Sequence, residues 1–570
     1  MSAPPALGST LICDSLRSAG IDCVFGLPGS QTISLYEALR TSSLRTIVAT
    51  HELSAAMMAN GYYRSSGRMA ALVTIPGPGF TWALTGLAEA FLDSAALLHI
   101  VGQPANSPGQ RFQLQAIEQE AIARALVKSL HLINHAGDMP GTLASAHADA
   151  LAGEPGPVLV QVARGALAES ADILPAVPSQ AASPFVDPAA IDQITDAVTR
   201  AKRCVLFLGQ GCNDAADLVL RLAENLSAVV MTTTSGRGVV PEDHPLSLGF
   251  ESDVGGTDTL NALIDSSDLV LAIGCKFSHN GSRGFCLRID PDKLVHVDAS
   301  AQVLGANYAA RLTLCADARA FLAALLQQLD IRTGAPRGFS VNEIKQWRQR
   351  CREEMLKDLI EPRIPGVPSG TPAAFFDALR KAMPRRSCLV TDSGQHQSLV
   401  RRHFRVLHPR GLIVPTNLQS MGFGIGAAIG ACLANPNRPV VALIGDGGLA
   451  MSGLELLTAV REGLQLTVIV FVDGAYGLIR FQQLAAHGCT HGTELKGPEL
   501  TAFAAAIGAR YLHLGTAPEA TLRKAMALPG VTLVEVSLGD TLPMHWMRAK
   551  GSAKRLLGPR VRAWLQSLRG

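Results

Sequence analysis

The sequence predicts an α/β protein made of three doubly wound parallel-sheet domains. Two observations lead to this prediction. Short apolar strands alternate with amphipathic helices in three blocks of the 570-residue chain, and glycine-rich turns, drawn from 54 glycines, punctuate them. The length is also that of about three or four domains. The predicted domains cover residues 1–174, 189–330 and 371–545.

Each block contributes its own set of strands, which the apolar runs locate. In the first block the predicted strands are 23–25, 45–49, 70–75, 97–101 and 158–162. In the second they are 204–209, 228–232, 269–273 and 294–297. In the third they are 387–391, 411–414, 440–444, 467–472 and 532–536. A Pro-, Ala- and Ser-rich linker at 175–188 separates the first two blocks. A charged connection at 331–370, with a helix at 341–359, separates the last two.

Composition excludes several classes of function. The net charge is only +3, so no nucleic acid or other polyanion is expected as a partner. The eleven cysteines contain no C-x-x-C pair, which argues against a zinc site or a disulfide framework and favours a reducing cytoplasm. The longest apolar stretches, such as 424–434, are too short to span a bilayer, so no membrane partner is expected.

Two acidic residues follow neighbouring apolar strands of the third block. Asp446 lies within Gly445-Asp446-Gly447, and Asp473 follows 27 residues later, one strand–helix–strand interval. In a parallel sheet both side chains would emerge at the carboxyl edge, where α/β folds bind ligands. Paired carboxylates suit Mg²⁺ together with phosphate oxygens, and the adjacent glycines allow a diphosphate to approach the backbone.

This segment resembles the diphosphate-binding motif of thiamine-diphosphate (ThDP) enzymes. The resemblance implies that Asp446, Asp473 and the carbonyl of Ala475 bind Mg²⁺, with Asp473 standing where the family usually has Asn. It also implies that two short runs of residues, one containing Asp446 and one following Ala475, contact the cofactor. The runs are Gly445, Asp446, Gly447, Gly448 and Tyr476, Gly477, Leu478.

A second segment of the sequence is similar to the cofactor-activating part of these enzymes. His51-Glu52 follows a strand and opens an Ala-rich helix, with Pro28 and Gly29 upstream and Gly77-Pro78-Gly79 downstream. The resemblance implies that Glu52 binds the aminopyrimidine ring of the cofactor and promotes its activation, and that Pro28 and Gly29 contact the cofactor. An isolated Glu at this position would simply stabilise a helix N-terminus.

Further matches point to acetohydroxyacid (acetolactate) synthases within the family. The run 391–397, Thr-Asp-Ser-Gly-Gln-His-Gln, resembles a cofactor-contacting segment and implies roles for Gly394, Gln395 and His396. Gln419 and Met421 match the segment that bends the cofactor into its V shape. Gln115, thirteen residues before Lys128, maps onto the active-site Gln of these synthases, and 241–249 is also shared.

Departures from the biosynthetic synthases define further expectations. Gln482 replaces the Trp that favours 2-oxobutyrate as acceptor, as in catabolic acetolactate synthases without FAD. The segment 276–283 matches the FAD-gripping segment poorly, so FAD is not expected. Segments 104–112 and 485–494 are expected to shape substrate choice, and the basic tail after Asp540 could fold over the site.

The resemblance implies ThDP- and Mg²⁺-dependent decarboxylation of a pyruvate-like 2-oxo acid, followed by ligation to a second carbonyl compound. The alternative within the family is a benzoylformate decarboxylase-like enzyme that releases an aldehyde. A non-catalytic scaffold of the same fold is disfavoured because Glu52, Asp446 and Asp473 are all present. The active site is expected between subunits of a homodimer or homotetramer.

Overall fold

The computed structural model describes residues 5–104, 110–172, 186–331, 338–357 and 360–539. It contains three six-stranded parallel sheets with helices on both faces, which confirms the predicted fold class. The predicted linker at 175–188 lies mostly outside these residues, as do most of segment 104–112 and the tail after Asp540.

The N-terminal domain holds a sheet with strand order β3-β2-β4-β5-β7-β6. Its strands are β1 Ala6–Leu7, β2 Cys23–Gly26, β3 Arg45–Val48, β4 Ala70–Thr74, β5 Leu97–Gly102, β6 Ser129–Ile133, β7 Pro157–Val162 and β8 Ser170–Ala171, with β1 and β8 forming a separate antiparallel pair. Its helices are α1 Gly8–Ser18, α2 Ile33–Thr41, α3 Glu52–Ser66, α4 Pro78–Leu92, α5 Gln119–Ala123, α6 Met139–Leu151 and α7 Arg164–Ala168. The order reverses between β2 and β4, so their carboxyl ends form the crevice where such sheets bind ligands.

The central domain has the order β11-β10-β9-β12-β13-β14. Its strands are β9 Cys204–Leu208, β10 Val229–Thr232, β11 Ser247–Glu251, β12 Leu269–Ile273, β13 Leu294–Asp298 and β14 Leu312–Cys315. Its helices are α8 Pro188–Arg200, α9 Ala216–Leu226, α10 Thr257–Asp265, α11 Ala318–Ile331 and α12 Val341–Leu356. Helix α12 belongs to the sequence expected to connect domains, yet its Ile344 and Cys351 are buried in the central core.

The C-terminal domain has the order β16-β15-β17-β18-β20-β19. Its strands are β15 Cys388–Thr391, β16 Leu412–Ile413, β17 Val440–Gly445, β18 Leu466–Val472, β19 Arg510–His513 and β20 Val531–Ser537. Its helices are α13 Pro372–Ala382, α14 Gln395–His403, α15 Phe423–Ala434, α16 Asp446–Ser452, α17 Leu456–Arg461, α18 Gly477–His487, α19 Leu500–Ala506 and α20 Pro518–Ala527. Strands β17 and β18 are direct neighbours in register, so Asp446 and Asp473 follow adjacent strand ends.

Helices α3 and α15 pack so closely that the N- and C-terminal domains share one hydrophobic core. A Cβ atom on Gly61 would lie 2.1 Å from the carbonyl oxygen of Ala427, and one on Gly430 would lie 1.9 Å from that of Met58. Such contacts are possible only where the residue has no side chain. The small residues of these two helices therefore fix how the outer domains sit against each other.

No helix within the described ranges is both long enough and apolar enough to cross a membrane.

Candidate active site

Two backbone turns hold the predicted metal-binding carboxylates in place. Asp446 Oδ1 accepts from Gly447 N at 2.9 Å, and Asp446 Oδ2 accepts from Gly474 N at 2.8 Å across the gap between the two strand ends. Asp473 Oδ1 accepts from Ala475 N at 3.2 Å. These bonds aim both carboxylates at the same edge of the sheet. They also leave lone pairs for a cation, since a carboxylate oxygen can accept more than one partner.

The two carboxylates perturb each other. Burial raises the pKa of Asp446, and burial together with the charge of Asp446 raises the pKa of Asp473 to about 6. Arg480 opposes this effect because its Nη2 lies 3.3 Å from Asp473 Oδ2. The charge that Asp473 adds relative to the usual Asn thus has a local counterion. Two neighbouring carboxyl groups that are each harder to ionise than usual are typical of a site that binds a cation.

A cavity of about 120 Å³ lies beside these carboxylates. Thirteen residues predicted from the sequence line it: Gly394, Gln395, His396, Met421, Gly445, Asp446, Gly447, Gly448, Asp473, Ala475, Tyr476, Gly477 and Leu478. Ser393, Phe471, Ile479 and Leu538 complete the lining and were not predicted. The structure therefore brings these cofactor and metal candidates together, although their roles remain predictions.

The cavity has features that suit a diphosphate–metal group. His396 Nε2 is buried without a partner among the described residues, and burial lowers the pKa of His396 to about 4. An anionic ligand would satisfy this orphaned atom and hold a proton on it. Gly477 lies against the carboxylate, because a Cβ at this position would lie 2.2 Å from Asp473 Oδ2 and would force that side chain to move.

The metal would need oxygens from outside the protein. Across the described residues, no group of three or more His, Cys, Asp or Glu side chains is placed to hold a metal ion. Asp446 and Asp473 could supply two ligands and the carbonyl of Ala475 a third. Because Mg²⁺ prefers six oxygens, the remaining positions fit phosphate oxygens and water.

The segment carrying the predicted wedge, Met421, has a strained backbone. Gln419 adopts φ +58°, a left-handed conformation that is uncommon for residues other than glycine and is often found at functional sites. Asp392, which the sequence reasoning overlooked as a site residue, accepts from Gly422 N at 3.0 Å, and burial raises the pKa of Asp392 to about 6. Its position between a strand end and a Gly-Gln-His run was a usable signal.

A second cluster forms at the carboxyl edge of the N-terminal sheet. A Cβ on Gly79 would lie 3.2 Å from Glu52 Oε1 and 2.7 Å from Ile75 Cγ1, and one on Gly29 would lie 2.4 Å from Ile75 Cγ2. Gly79 and Gly29, which follows Pro28, thus lie against the side chain of Ile75, and the Glu52 carboxyl lies beside Gly79. His51 Nδ1 accepts from Leu53 N at 3.1 Å, which caps helix α3 where Glu52 begins it.

Gln115 belongs to the same cluster. A Cβ on Gly77 would lie 3.0 Å from Gln115 Cβ. Gln115 has φ +62°, and its buried Oε1 has no partner within the described ranges. Buried Gln119, which was not predicted, holds the turn: its Oε1 accepts from Gly77 N at 2.8 Å and its Nε2 donates to Gln161 Oε1 at 3.0 Å. A single Gln at the start of a short helix gives no sequence signal for this role.

No residue of the N-terminal domain lines the cavity beside Asp446 in the part of the chain that the structure describes. Each cluster is instead flanked by exposed apolar side chains. Trp82 is 57% exposed and stacks edge-on against His51, while Met451 and Leu454, which follow Asp446, are 56% and 63% exposed.

Comparisons with known proteins agree with this architecture. Family models match all three domains: the thiamine pyrophosphate enzyme N-terminal TPP binding domain at residues 7–123, the central domain at 191–325, and the C-terminal TPP binding domain at 392–536. Thiamine pyrophosphate is another name for ThDP.

Several acetolactate synthases are similar over most of their length. The large subunit of isozyme 1 from Escherichia coli K12 is 30% identical over 557 residues, covering 96% of both chains. The isozyme 2 large subunit from the same organism is 30% identical, covering 95% of this chain and 96% of the relative. The large subunit from Lactococcus lactis is 28% identical, covering 84% and 82%. With three matching domains in order and a relative of this similarity, the chain belongs to the ThDP-dependent acetolactate synthase family of enzymes.

Proposed function

We propose that this enzyme decarboxylates a 2-oxo acid such as pyruvate with ThDP and Mg²⁺, and then joins the remaining fragment to a second carbonyl compound. The observation that carries the proposal is the cavity where Asp446 and Asp473 converge beside His396, whose Nε2 has no partner among the described residues. The relatives named as acetolactate synthases support the ligation step.

The residues of the chain divide the work between binding and proton transfer. When bound, ThDP supplies the carbon nucleophile and accepts the electrons released as CO₂ leaves. Asp446, Asp473 and the Ala475 carbonyl would hold Mg²⁺, and His396 would donate to a diphosphate oxygen. Glu52 would exchange a proton at its carboxyl group, and Met421 would contact the cofactor.

Ligation requires that the fragment left after decarboxylation is not protonated first. The histidines of the N-terminal cluster are engaged elsewhere: His51 Nδ1 accepts a helix-capping bond, and His99 is fully buried with its Nε2 2.8 Å from Thr74 Oγ1. Burial lowers the pKa of His99 to about 3, so it carries no charge at neutral pH. These contacts favour ligation over simple decarboxylation.

The test is incubation with pyruvate, ThDP and Mg²⁺ while acetolactate and acetaldehyde are both measured. We expect acetolactate as the main product. Acetaldehyde alone would favour the benzoylformate decarboxylase-like alternative. A panel of 2-oxo acids with paired aldehydes, analysed by mass spectrometry, would then identify the preferred donor and acceptor.

We further propose that a complete site forms between two protomers, with the smallest unit a homodimer. Glu52 and Asp446 lie in separate clusters of one chain, and the exposed Trp82, Met451 and Leu454 beside them form apolar surface suited to a twofold contact. Mixing Glu52→Gln and Asp446→Asn chains tests this. If the site is shared, mixed dimers regain one intact site, so a 1:1 mixture would recover about a quarter of wild-type activity. No recovery, after subunit exchange is verified, would place the site within one chain.

We also propose that the enzyme works without FAD and resides in the cytoplasm. The cations of segment 276–283 are engaged: Lys276 pairs with Glu154, and Arg283 donates to Thr257 Oγ1 and to the Asp253 carbonyl. The test is acetolactate formation by enzyme depleted of flavin, with and without added FAD. Activity restored only by FAD would overturn the proposal.

A further inference from the structure

Two buried carboxylates make matching contacts between the outer domains. Glu89, in α4 of the N-terminal domain, is fully buried, and its Oε2 accepts from Ser420 N at 3.0 Å and from Ser420 Oγ at 2.5 Å. Ser420 immediately precedes Met421. One N-terminal carboxylate therefore binds the backbone and hydroxyl of the C-terminal segment that carries the predicted wedge.

The reciprocal contact runs from the C-terminal domain to the N-terminal one. Glu455, 2% exposed, accepts from Thr50 N at 3.1 Å with Oε1 and from Thr50 Oγ1 at 2.5 Å with Oε2. Thr50 lies two residues before Glu52. The two contacts correspond. Each carboxylate lies in a helical region that follows a strand, and each binds a residue with a hydroxyl group: Thr50 shortly before α3, and Ser420 shortly before α15.

From this correspondence we propose that the Glu89–Ser420 and Glu455–Thr50 contacts are a pair of interdomain latches that position the two functional segments of the site. Each functional segment is thereby held by the opposite domain of its own chain. The inference rests on the proposed function, since it assigns Glu52 and Met421 to cofactor activation.

The surroundings show why a carboxylate at Glu89 indicates positioning rather than simple stability. Asp93, which follows the last residue of α4, accepts from Thr416 N at 3.2 Å and pairs with Arg64 Nη1 at 2.7 Å. Burying two acids side by side costs free energy that apolar residues of similar size would not cost. The two acids instead fix the ends of the segment Thr416–Ser420, since Asp93 binds Thr416 and Glu89 binds Ser420. Gln419, with its strained φ, lies within this segment.

Alanine and glutamine variants separate positioning from bulk stability. Glutamine keeps an oxygen that can accept from Ser420 or Thr50, whereas alanine removes it. We expect Glu89→Ala and Glu455→Ala to lower kcat about 10- to 100-fold with KM nearly unchanged, because small misplacements of reacting groups are costly. Glu89→Gln and Glu455→Gln should restore most of kcat.

The matched control is Glu354 in the central domain, which binds a backbone N–H and a hydroxyl in the same way. Its Oε2 accepts from Thr259 N at 2.9 Å and from Thr259 Oγ1 at 2.6 Å, far along the chain from either functional segment. Glu354→Ala should leave kcat at the wild-type value. An equal loss in this variant would overturn the proposal, because it would show a general effect of removing a structural acid.

Hydrogen exchange measured without cofactor provides a readout that does not depend on activity. Peptides containing Ser420 should exchange faster in Glu89→Ala, and those containing Thr50 faster in Glu455→Ala, while Glu354→Ala changes neither. Ser420→Ala, a milder variant, serves if the glutamate variants do not fold, and should give the same local effect. Wild-type exchange in these peptides would refute the latches, whereas normal latches in a protein without ThDP-dependent turnover would refute only the proposed function.

Discussion

The two clusters of the site share a layout but differ in their electrostatics. Both stand where a strand ends and a helix begins, and both are held by a carboxylate from the opposite domain. The C-terminal cluster contains two interacting acids, and the pKa of Asp473 is raised to about 6. The N-terminal cluster places the single acid Glu52 near the apolar Ile75. Paired acids suit a cation, and a single acid suits proton exchange, so we propose that the chain separates cofactor anchoring from cofactor activation.

The variant Glu52→Gln gives the strongest test of the difference between the two clusters, because it removes proton exchange while keeping the shape of the side chain. We expect turnover to fall by about 10²- to 10⁴-fold, the usual contribution of a general acid–base group. Stabilisation by ThDP and Mg²⁺ in thermal melts should persist. Glu37→Gln, an exposed acid that pairs with Arg40, is the control in the same domain. Wild-type turnover in Glu52→Gln would contradict the assigned role.

Asp446→Asn tests the anchoring cluster. The amide loses the charge and presents a donor to either Gly447 N or Gly474 N, both of which are donors themselves. We expect the affinity for ThDP and Mg²⁺ to fall about 10- to 100-fold, as measured by titration calorimetry. Asp377→Asn, at an exposed position of the same domain, should bind normally. Unchanged affinity in Asp446→Asn would remove the distinction between the two clusters.

Gln482→Trp tests whether the choice of acceptor is controlled outside the two clusters, since Gln482 belongs to neither of them. Gln482 is exposed on α18, the helix that follows the cavity-lining Tyr476. A larger apolar surface there should raise the preference for 2-oxobutyrate over pyruvate by about 10-fold, the scale set by burying one extra methylene. Competition between the two acceptors, analysed by mass spectrometry, measures the ratio. An unchanged ratio would show that α18 does not contact the acceptor.

The last prediction, with the smallest effect, concerns the Glu89–Ser420 contact and the dependence of protein stability on pH. Burial and the neighbouring Asp93 raise the pKa of Glu89 to about 7 from an ordinary value of 4.5, while the hydrogen bonds from Ser420 and the charge of Arg64 oppose the shift. The folded state therefore holds this proton more tightly, and stability should fall as pH rises from about 4.5 to about 7, then level off. We expect the melting temperature to drop by a few degrees between pH 5 and pH 8, and by less in Glu89→Gln. An identical drop in both proteins would contradict the assignment.

The fold was largely predictable because central strands carry continuous apolar runs. The sequence did not predict the short pair β1 and β8, and the strands of the three large sheets that it missed, β6, β11, β14 and β19, all lie at sheet edges. Most residues of β6, β14 and β19 are half-buried or exposed, so these strands lack the continuous apolar run of strands covered on both faces. Edge strands are specified by partners distant in sequence.

The site was predictable where function depends on local motifs. Gly445-Asp446-Gly447 and the run ending at His396 could be assigned from short patterns, and the structure places them around one cavity. Glu89 and Glu455 could not be found in this way, since each acts on a residue more than 300 positions away. Nothing in a single sequence distinguishes such an acid from one on a solvated helix.

The shared core of α3 and α15 has a consequence for biosynthesis. Gly61 and Gly430 bring together segments made roughly 370 residues apart, so the first domain leaves the ribosome with the apolar surface of α3 uncovered. It stays uncovered until translation passes α15. A nascent or truncated chain ending before that point would expose this surface to chaperones or to aggregation.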